Sequence, residues 1–327
     1  MKAPDNLTDE QIAVWDQLMT RVLTLNERIW EQNINGDLVR DWLHNFSGKT
    51  GAPVEVERLH GLYLLSQFMY FGIREIRVLL RSLYRDLFLM PLAKEVKDRT
   101  NSIEEFRSEI KRELDATRFL GVGNPSESGV HLLYYFRQEN QLSKEAFVDA
   151  ARLYETKSAN GLRYRVPRFS AVKRYIFLDD LCGSGQTAID YSKDFLPDLT
   201  AADPEIKVHY FSLFATRSGM QRVRDETVFG ANSGAVYELD ESYKWGDVSS
   251  RYIVGLPDAI SLDILLEIVD VYGRALHSYY PFGFQDSGLL LGFSHNTPDN
   301  TLPLIWMEQM HGSEIPWYPI FKRYPKK

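Results

Sequence analysis

YIFLDDLCGSGQTAIDYSK, residues Tyr175–Lys193, is the stretch whose reading decides the fold. Four residues of high strand propensity, Tyr175 to Leu178, run into two adjacent acids, Asp179 and Asp180. Small residues then lead into the apolar spacing of a helix. A strand that hands over to a helix through a glycine turn is the repeating unit of a parallel α/β sheet. The same turn is an anion site on physical grounds. Gly183, Ser184, Gly185, Gln186 and Thr187 offer backbone amides and two hydroxyls at a helix N-terminus, where the helix dipole favours negative charge. It is not a Walker loop, because the spacing differs and no Lys follows the second Gly. Two carboxylates beside a phosphate would repel it unless they face something else, such as sugar hydroxyls or a magnesium ion. A ribose phosphate supplies both kinds of partner.

Working outward, three further segments read as strands. Thr117–Gly123 is followed by the turn NPSESG and then by VHLLYYFRQEN, which reads as a helix. Val208–Thr216 leads into a polar helical stretch, and Leu289–Phe293 is the fourth strand. Alternation between strand and helix periods predicts a parallel α/β core with helices on both faces. Ahead of it the pattern is helical from Leu7 to about Pro91. Thr8 with Gln11 fits a capping box, and a long helix is expected over Val54–Met90, with Gly61 and Gly72 as the points where it bends or breaks. Leu92–Asp115 is the most charged stretch and carries a cap signal at Ser102 with Glu105. The expected division is therefore a helical region, 1–100, and an α/β domain, 101–327.

The 327 residues are 44% hydrophobic with a formal net charge of −7, which suits a soluble globular chain. The acidic balance argues against general nucleic-acid binding and leaves room for a local basic patch. No apolar run is long enough to span a membrane, and MKAPDNLTDEQ lacks the apolar stretch of a signal peptide, so a cytoplasmic location is expected. One cysteine, Cys182, excludes a disulfide framework, and no Cys/His spacing suggests zinc.

The strand, the Asp-Asp pair and the Ser-Gly-x-Thr turn together resemble the phosphoribosyl pyrophosphate loop of type I phosphoribosyltransferases. The resemblance implies that Asp179 and Asp180 are the catalytic acids that hold the ribose hydroxyls and meet magnesium through the ligand. It implies that Gly183, Ser184, Gly185, Gln186 and Thr187 hold the 5′-phosphate, and that a pyrophosphate loop after the earlier strand uses Ser126, Ser128 and Gly129. Two positions differ from the usual pattern. Cys182 stands where an aliphatic residue is common, and Gly183 occupies the position of an aspartate general base in purine-salvage members.

SHNTPDNTLPLIW (Ser294–Trp306) and the following IPWYPIFKRYP resemble the tail of a phosphoribosyltransferase-like subgroup from bacterial anti-phage and conflict systems, which includes effectors encoded beside retron reverse transcriptases. By segment order the resemblance runs over residues 55–327. It implies a cytoplasmic effector that binds a phosphoribosyl or nucleotide ligand with magnesium and transfers or hydrolyses it. Its alternative is a non-catalytic nucleotide-sensing or assembly module that docks a protein or RNA. A reverse transcriptase–RNA complex or another defence-system protein is the implied partner, and a homo-oligomer stays open.

Two more groups have a functional and a structural reading. His295, Asn296, Asn300, Trp306 and Trp317 could line a base pocket, or NTPDN could be an ordinary turn. Arg74, Arg77, Arg81 and Arg85 fall on one helix face and suit an RNA or a protein partner. The same stripe also reads as a solvated face offset by Glu75 and Asp86, or as one that pairs with an acidic surface. Cys182 in the anion loop has no neighbouring His to serve as its base, so covalent cysteine chemistry is not expected.

Overall fold

The computed structural model describes residues 1–123, 128–159, 161–308 and 316–324. Its strands are β1 (Met69–Phe71), β2 (Thr117–Gly121), β3 (Tyr154–Ala159), β4 (Leu162–Pro167), β5 (Arg174–Cys182), β6 (Lys207–Thr216), β7 (Ser233–Leu239) and β8 (Leu291–Phe293). The helices begin with α1 (Asp9–Arg28), α2 (Gly36–Leu43), α3 (Val54–Ser66), α4 (Ile73–Ser82), α5 (Met90–Asp98) and α6 (Ile103–Asp115). They continue with α7 (Ser128–Glu139), α8 (Gln186–Phe195), α9 (Pro197–Ala202), α10 (Arg217–Glu226), α11 (Leu262–Leu276) and α12 (Pro303–Trp306). Among the described residues no helix is long and apolar enough to cross a membrane.

The chain forms two compact units, Met1–Arg74 with Asp240–Lys327, and Glu75–Leu239. They do not follow the boundary placed at residue 100 from the sequence. The first unit is discontinuous, because the C-terminal segments pack with the N-terminal helices in a single apolar core. Trp15, Trp30, Trp42, Phe46, Tyr272 and Trp317 all belong to it. Phe46 sits at its centre, edge-on to Trp42, Tyr272 and Trp317 at 5.2–5.4 Å. The caps expected from the sequence are present: Thr8 and Gln11 form a capping box, with Thr8 Oγ1 accepting from Gln11 N at 3.3 Å, and Ser102 Oγ accepts from Glu105 N at 3.1 Å.

The helix expected over Val54–Met90 is interrupted between Gln67 and Gly72 by β1. Gly61 stays inside α3, where the Phe46 ring lies 2.5 Å from where a Cβ would be. β1 runs parallel to β8, with Met69 N donating to Leu290 O at 2.9 Å. The segment Leu289–Phe293, expected in the main sheet, is thus half of a separate two-stranded pair. Hydrophobicity marks a strand but not its partner.

The second unit holds the main sheet, in the order β2-β5-β6-β7, with every pair parallel. Successive residues of a strand point to opposite faces, and β2 shows the result. Phe119 meets the rings of Tyr84, Phe88 and Phe136, whereas its neighbour Leu120 joins Tyr175, Phe177 and Tyr210. α7 serves the first cluster; α8 and α10 bring Ala188, Tyr191, Met220 and Val223 to the second. The core is therefore α/β with helices on both faces, as expected. The β3–β4 hairpin and the edge strand β7 were not anticipated.

Candidate functional site

β5 delivers the acid pair. Tyr175 to Leu178 are buried, so the strand is held on both faces while Asp179 and Asp180 emerge at its C-terminal end, the usual ligand edge of a parallel sheet. Asp179 Oδ2 accepts from Tyr210 OH at 2.9 Å, and Asp179 Oδ1 accepts from Asp180 N at 2.9 Å. Leu181 N donates to Asp180 Oδ1 at 2.8 Å. Burial, then the charge of Asp180, pushes the Asp179 carboxyl well above the ordinary value, and the Tyr210 hydrogen bond only partly opposes this. Ser212, paired in register with Asp179, has a fully buried Oγ with no hydrogen-bond partner among the described residues.

The loop that follows is shaped from behind by α10. Gly185, the N-cap of α8, has φ 75°, and a Cβ there would lie 2.7 Å from Gly219 O. Thr216 Oγ1 donates to Gly183 O at 2.6 Å, and Arg222 Nη1 donates to Ser184 O at 2.8 Å. A Cβ on Gly219 would stand 2.0 Å from Gly183 O, so α10 approaches the loop only because residue 219 has no side chain. Two loop carbonyls are thereby drawn toward α10, while the first-turn amides of α8 are among the donors a helix cannot satisfy internally. Ser184 Oγ accepts from Gln186 N at 3.3 Å, and the Gln186 side chain turns to Asp190 at 2.8 Å. Of the predicted side chains, Thr187 is exposed and Ser184 partly buried.

The structure thus brings Asp179, Asp180 and the loop Gly183–Thr187 together, and adds Tyr210, Ser212, Thr216, Gly219 and Arg222, which the sequence reading missed. A signal existed: Thr216, Gly219 and Arg222 recur every three residues directly after a strand, on one helix face. Cys182 is 2% exposed and its thiol is pushed up to about 12 by burial, then by Asp179, so it is no nucleophile.

Ser126 lies outside the described residues; Ser128 and Gly129 open α7. Asn296, Asn300, Trp306 and Trp317 belong to the first unit, where their polar atoms serve its own chain. Asn296 Oδ1 accepts from Tyr324 N at 3.0 Å and Asn300 Nδ2 donates to Ser287 Oγ at 2.8 Å. Trp306 Nε1 donates to Thr301 O at 2.8 Å and Trp317 Nε1 to Leu304 O at 3.0 Å. His295 stacks on Phe293 at 5.4 Å. In the arginine stripe, Arg77 and Arg81 both pair with Glu139, at 2.8 and 3.1 Å, and Arg85 pairs with Asp86 at 2.7 Å. Arg77 also covers the ring of Tyr135 at 4.7 Å, and Arg74 is exposed.

A parallel sheet with an acid pair and a glycine turn at the C-terminal end of one strand is the arrangement of a phosphoribosyltransferase-like protein. The chain belongs to the PRTase-CE family, whose profile matches residues 39–323. Among solved structures it is similar to the Helicobacter pylori Xanthine-Guanine-Hypoxanthine Phosphoribosyltransferase at 14% identity and a TM-score of 0.26, covering 53% of this chain and 84% of that one. That score is too low to match residues between the two. No curated protein matches the sequence.

Proposed function

We propose that the chain binds a 5-phosphoribosyl ligand, a phosphoribosyl diphosphate or a nucleotide, and transfers or hydrolyses its ribosyl phosphate as an effector of bacterial anti-phage defence. The observation that carries this reading is the acid pair, Asp180 buried and Asp179 partly so, beside the loop held by Thr216 and Arg222. Asp179 and Asp180 orient the ribose hydroxyls, and the loop amides with Thr187 hold the 5′-phosphate. In the reaction the bond from C1 to the leaving group breaks, through oxygen for a diphosphate or through nitrogen for a nucleotide's base, and its electron pair departs with the leaving group. A nitrogen or a water oxygen bonds to C1 and gives its proton to solvent. Positioning and charge complementarity are the chain's contributions.

Magnesium fits this chain only in part. Among the described residues no three Asp, Glu, His or Cys side chains form a metal cluster, and a hard cation takes about six oxygens. Asp179 and Asp180 would hold it together with ligand oxygens, and when bound it would offset the charge of a diphosphate leaving group. The defence role rests on the likeness of the C-terminal segments to that subgroup.

One feature favours a second reading as a nucleotide-sensing module. Position 183 is a buried glycine whose carbonyl is taken by Thr216, so no side chain is present there to act as a base. Calorimetry with phosphoribosyl pyrophosphate and magnesium, paired with an assay for diphosphate release, tests both. We expect saturable binding that weakens by about tenfold or more in Asp179→Asn and again in Asp180→Asn, the worth of charge-assisted hydrogen bonds. Binding unchanged in both variants would overturn the assignment, and tight binding without diphosphate release would select the sensor.

A further inference from the structure

A cavity of about 170 Å³ lies in the first unit, among C-terminal segments that the ribosyl phosphate reading does not use. His277, Tyr280, Phe284 and Trp306 bring four rings to its lining, and Asp299 and Arg323 bring its charges. A cavity of about 150 Å³ is enough for a benzene-sized ring, so this one admits a single six-membered ring with a small substituent.

Its walls are fixed by the chain's own hydrogen bonds. Tyr280 N donates to His277 Nδ1 at 3.1 Å, and Phe284 N donates to Asp299 O at 2.7 Å. Trp306 Nε1 is taken by Thr301 O at 2.8 Å. Arg323 donates to Thr297 O at 2.9 Å and to Asp299 Oδ2 at 2.7 Å, with its guanidinium 5.5 Å from the centre of the Trp306 ring. Gln285 and Asp286, directly after Phe284, are held in the left-handed region at φ 51° and 55°. Backbone strain of this kind in non-glycine residues collects at ligand clamps.

The polar groups of the lining specify the ligand's chemistry. Because His277 Nδ1 is an acceptor, the ring's proton is on Nε2, and that N–H has no partner among the described residues. It is not one of the buried unpaired groups, so a ligand can reach it, and it calls for an acceptor. Asp299 Oδ1 is likewise without a partner among the described residues, on a side chain 46% exposed, and it calls for a donor. Arg323 and Asp299 cancel in charge, so the cavity selects neither an anion nor a cation.

We propose that this cavity binds an uncharged six-membered heteroaromatic ring with an acceptor for His277 Nε2–H and an N–H donor for Asp299 Oδ1 on its edge. The site stands independently of the ribosyl phosphate reading, since it uses no residue of Glu75–Leu239.

Cytosine has this chemistry and is a suitable probe, with benzene as the ring that lacks the polar edge. Ligand-observed NMR on the full chain should show saturable cytosine binding at one site, and benzene should bind at least about tenfold more weakly. His277→Asn keeps an acceptor for Tyr280 N but has no second ring nitrogen. It should weaken cytosine by about threefold to tenfold, the worth of one neutral hydrogen bond, and leave benzene unchanged. Phe284→Trp adds bulk to the wall and should weaken cytosine by about tenfold or more, and Tyr280→Trp serves if the first variant melts early. Asp179→Asn should bind cytosine like the unmodified chain, which separates this site from the ribosyl one. Non-saturable cytosine binding, benzene bound as tightly as cytosine, or full cytosine affinity in His277→Asn would overturn the proposal. So would binding that survives both tryptophan variants or is lost in Asp179→Asn.

Discussion

Glu57 and Asp179 are both carboxyl groups withdrawn from water, one in each unit, and their surroundings differ in kind. Glu57 is fully buried on α3 and accepts from Gly48 N at 2.7 Å, Thr50 N at 2.8 Å, Thr50 Oγ1 at 2.6 Å and Tyr272 OH at 2.5 Å. Four donors fill the acceptor sites of its two oxygens. Asp179 receives Tyr210 OH and one backbone amide, stands against a second acid, and has its carboxyl pushed up. Burial with every oxygen paired is a structural device, tying the Gly48–Thr50 loop to α11. Burial beside a like charge costs stability, and such costs collect at functional sites.

The contrast can be broken at its strong end first. Glu57→Leu leaves two amides and the Tyr272 hydroxyl buried without an acceptor, and should cost about 3–5 kcal/mol in urea unfolding. A loss below about 1 kcal/mol would mean that Glu57 is no structural keystone. Next in size, Gly219→Ala drives a methyl into Gly183 O and should cost about 1–3 kcal/mol while displacing the Gly183–Thr187 loop. Calorimetry with phosphoribosyl pyrophosphate should then show weaker binding, and unchanged affinity would separate α10 from the site.

His209 tests whether burial alone marks function within the second unit. Its ring faces Arg174 at 3.2 Å on the opposite edge of the sheet from the acids, and burial, then Arg174, pushes it down to about 4. The folded ring takes its proton later than the unfolded one, whose ordinary value is 6.5. Stability is therefore complete above about pH 6.5 and falls by roughly 2–3 kcal/mol as pH drops toward 4. His209→Gln should flatten that limb of a melting-temperature profile between pH 4 and 7 without changing ligand affinity. The smallest effect has the opposite sign. Asp179 has a folded value above its ordinary 3.8, so its penalty grows as pH rises from there toward the folded value. Asp179→Asn should raise the melting temperature at pH 7 by about 2–4 °C, which is about 1 kcal/mol for a chain of this size, while weakening ligand binding. A fall in melting temperature would remove the contrast with Glu57.

The parts legible in the sequence were the local ones. Asp179 to Thr187, the caps at Thr8 and Ser102, and strands β2, β5 and β6 all announce themselves within a few residues. β7 was missed because SGAVYEL is partly buried and mixes polar with apolar residues along one edge of the sheet. Tyr210 and Arg222 were missed because nothing near them in sequence shows that they reach residues 179 and 184. Their partners are 31 and 38 positions away.

The sequence by itself determined that residues 175–193 form a strand, an acid pair and a glycine turn into a helix, since propensity, charge and glycine act over one or two turns of chain. The tertiary structure alone decided that Leu291–Phe293 pairs with Met69–Phe71 and not with the main sheet. It also decided that α10 shapes the loop through Thr216, Gly219 and Arg222, and that Glu57 meets four donors where Asp179 stands against a second acid. Those outcomes depend on which distant groups meet, and burial and hydrogen bonding between distant segments arise only once the chain is closed.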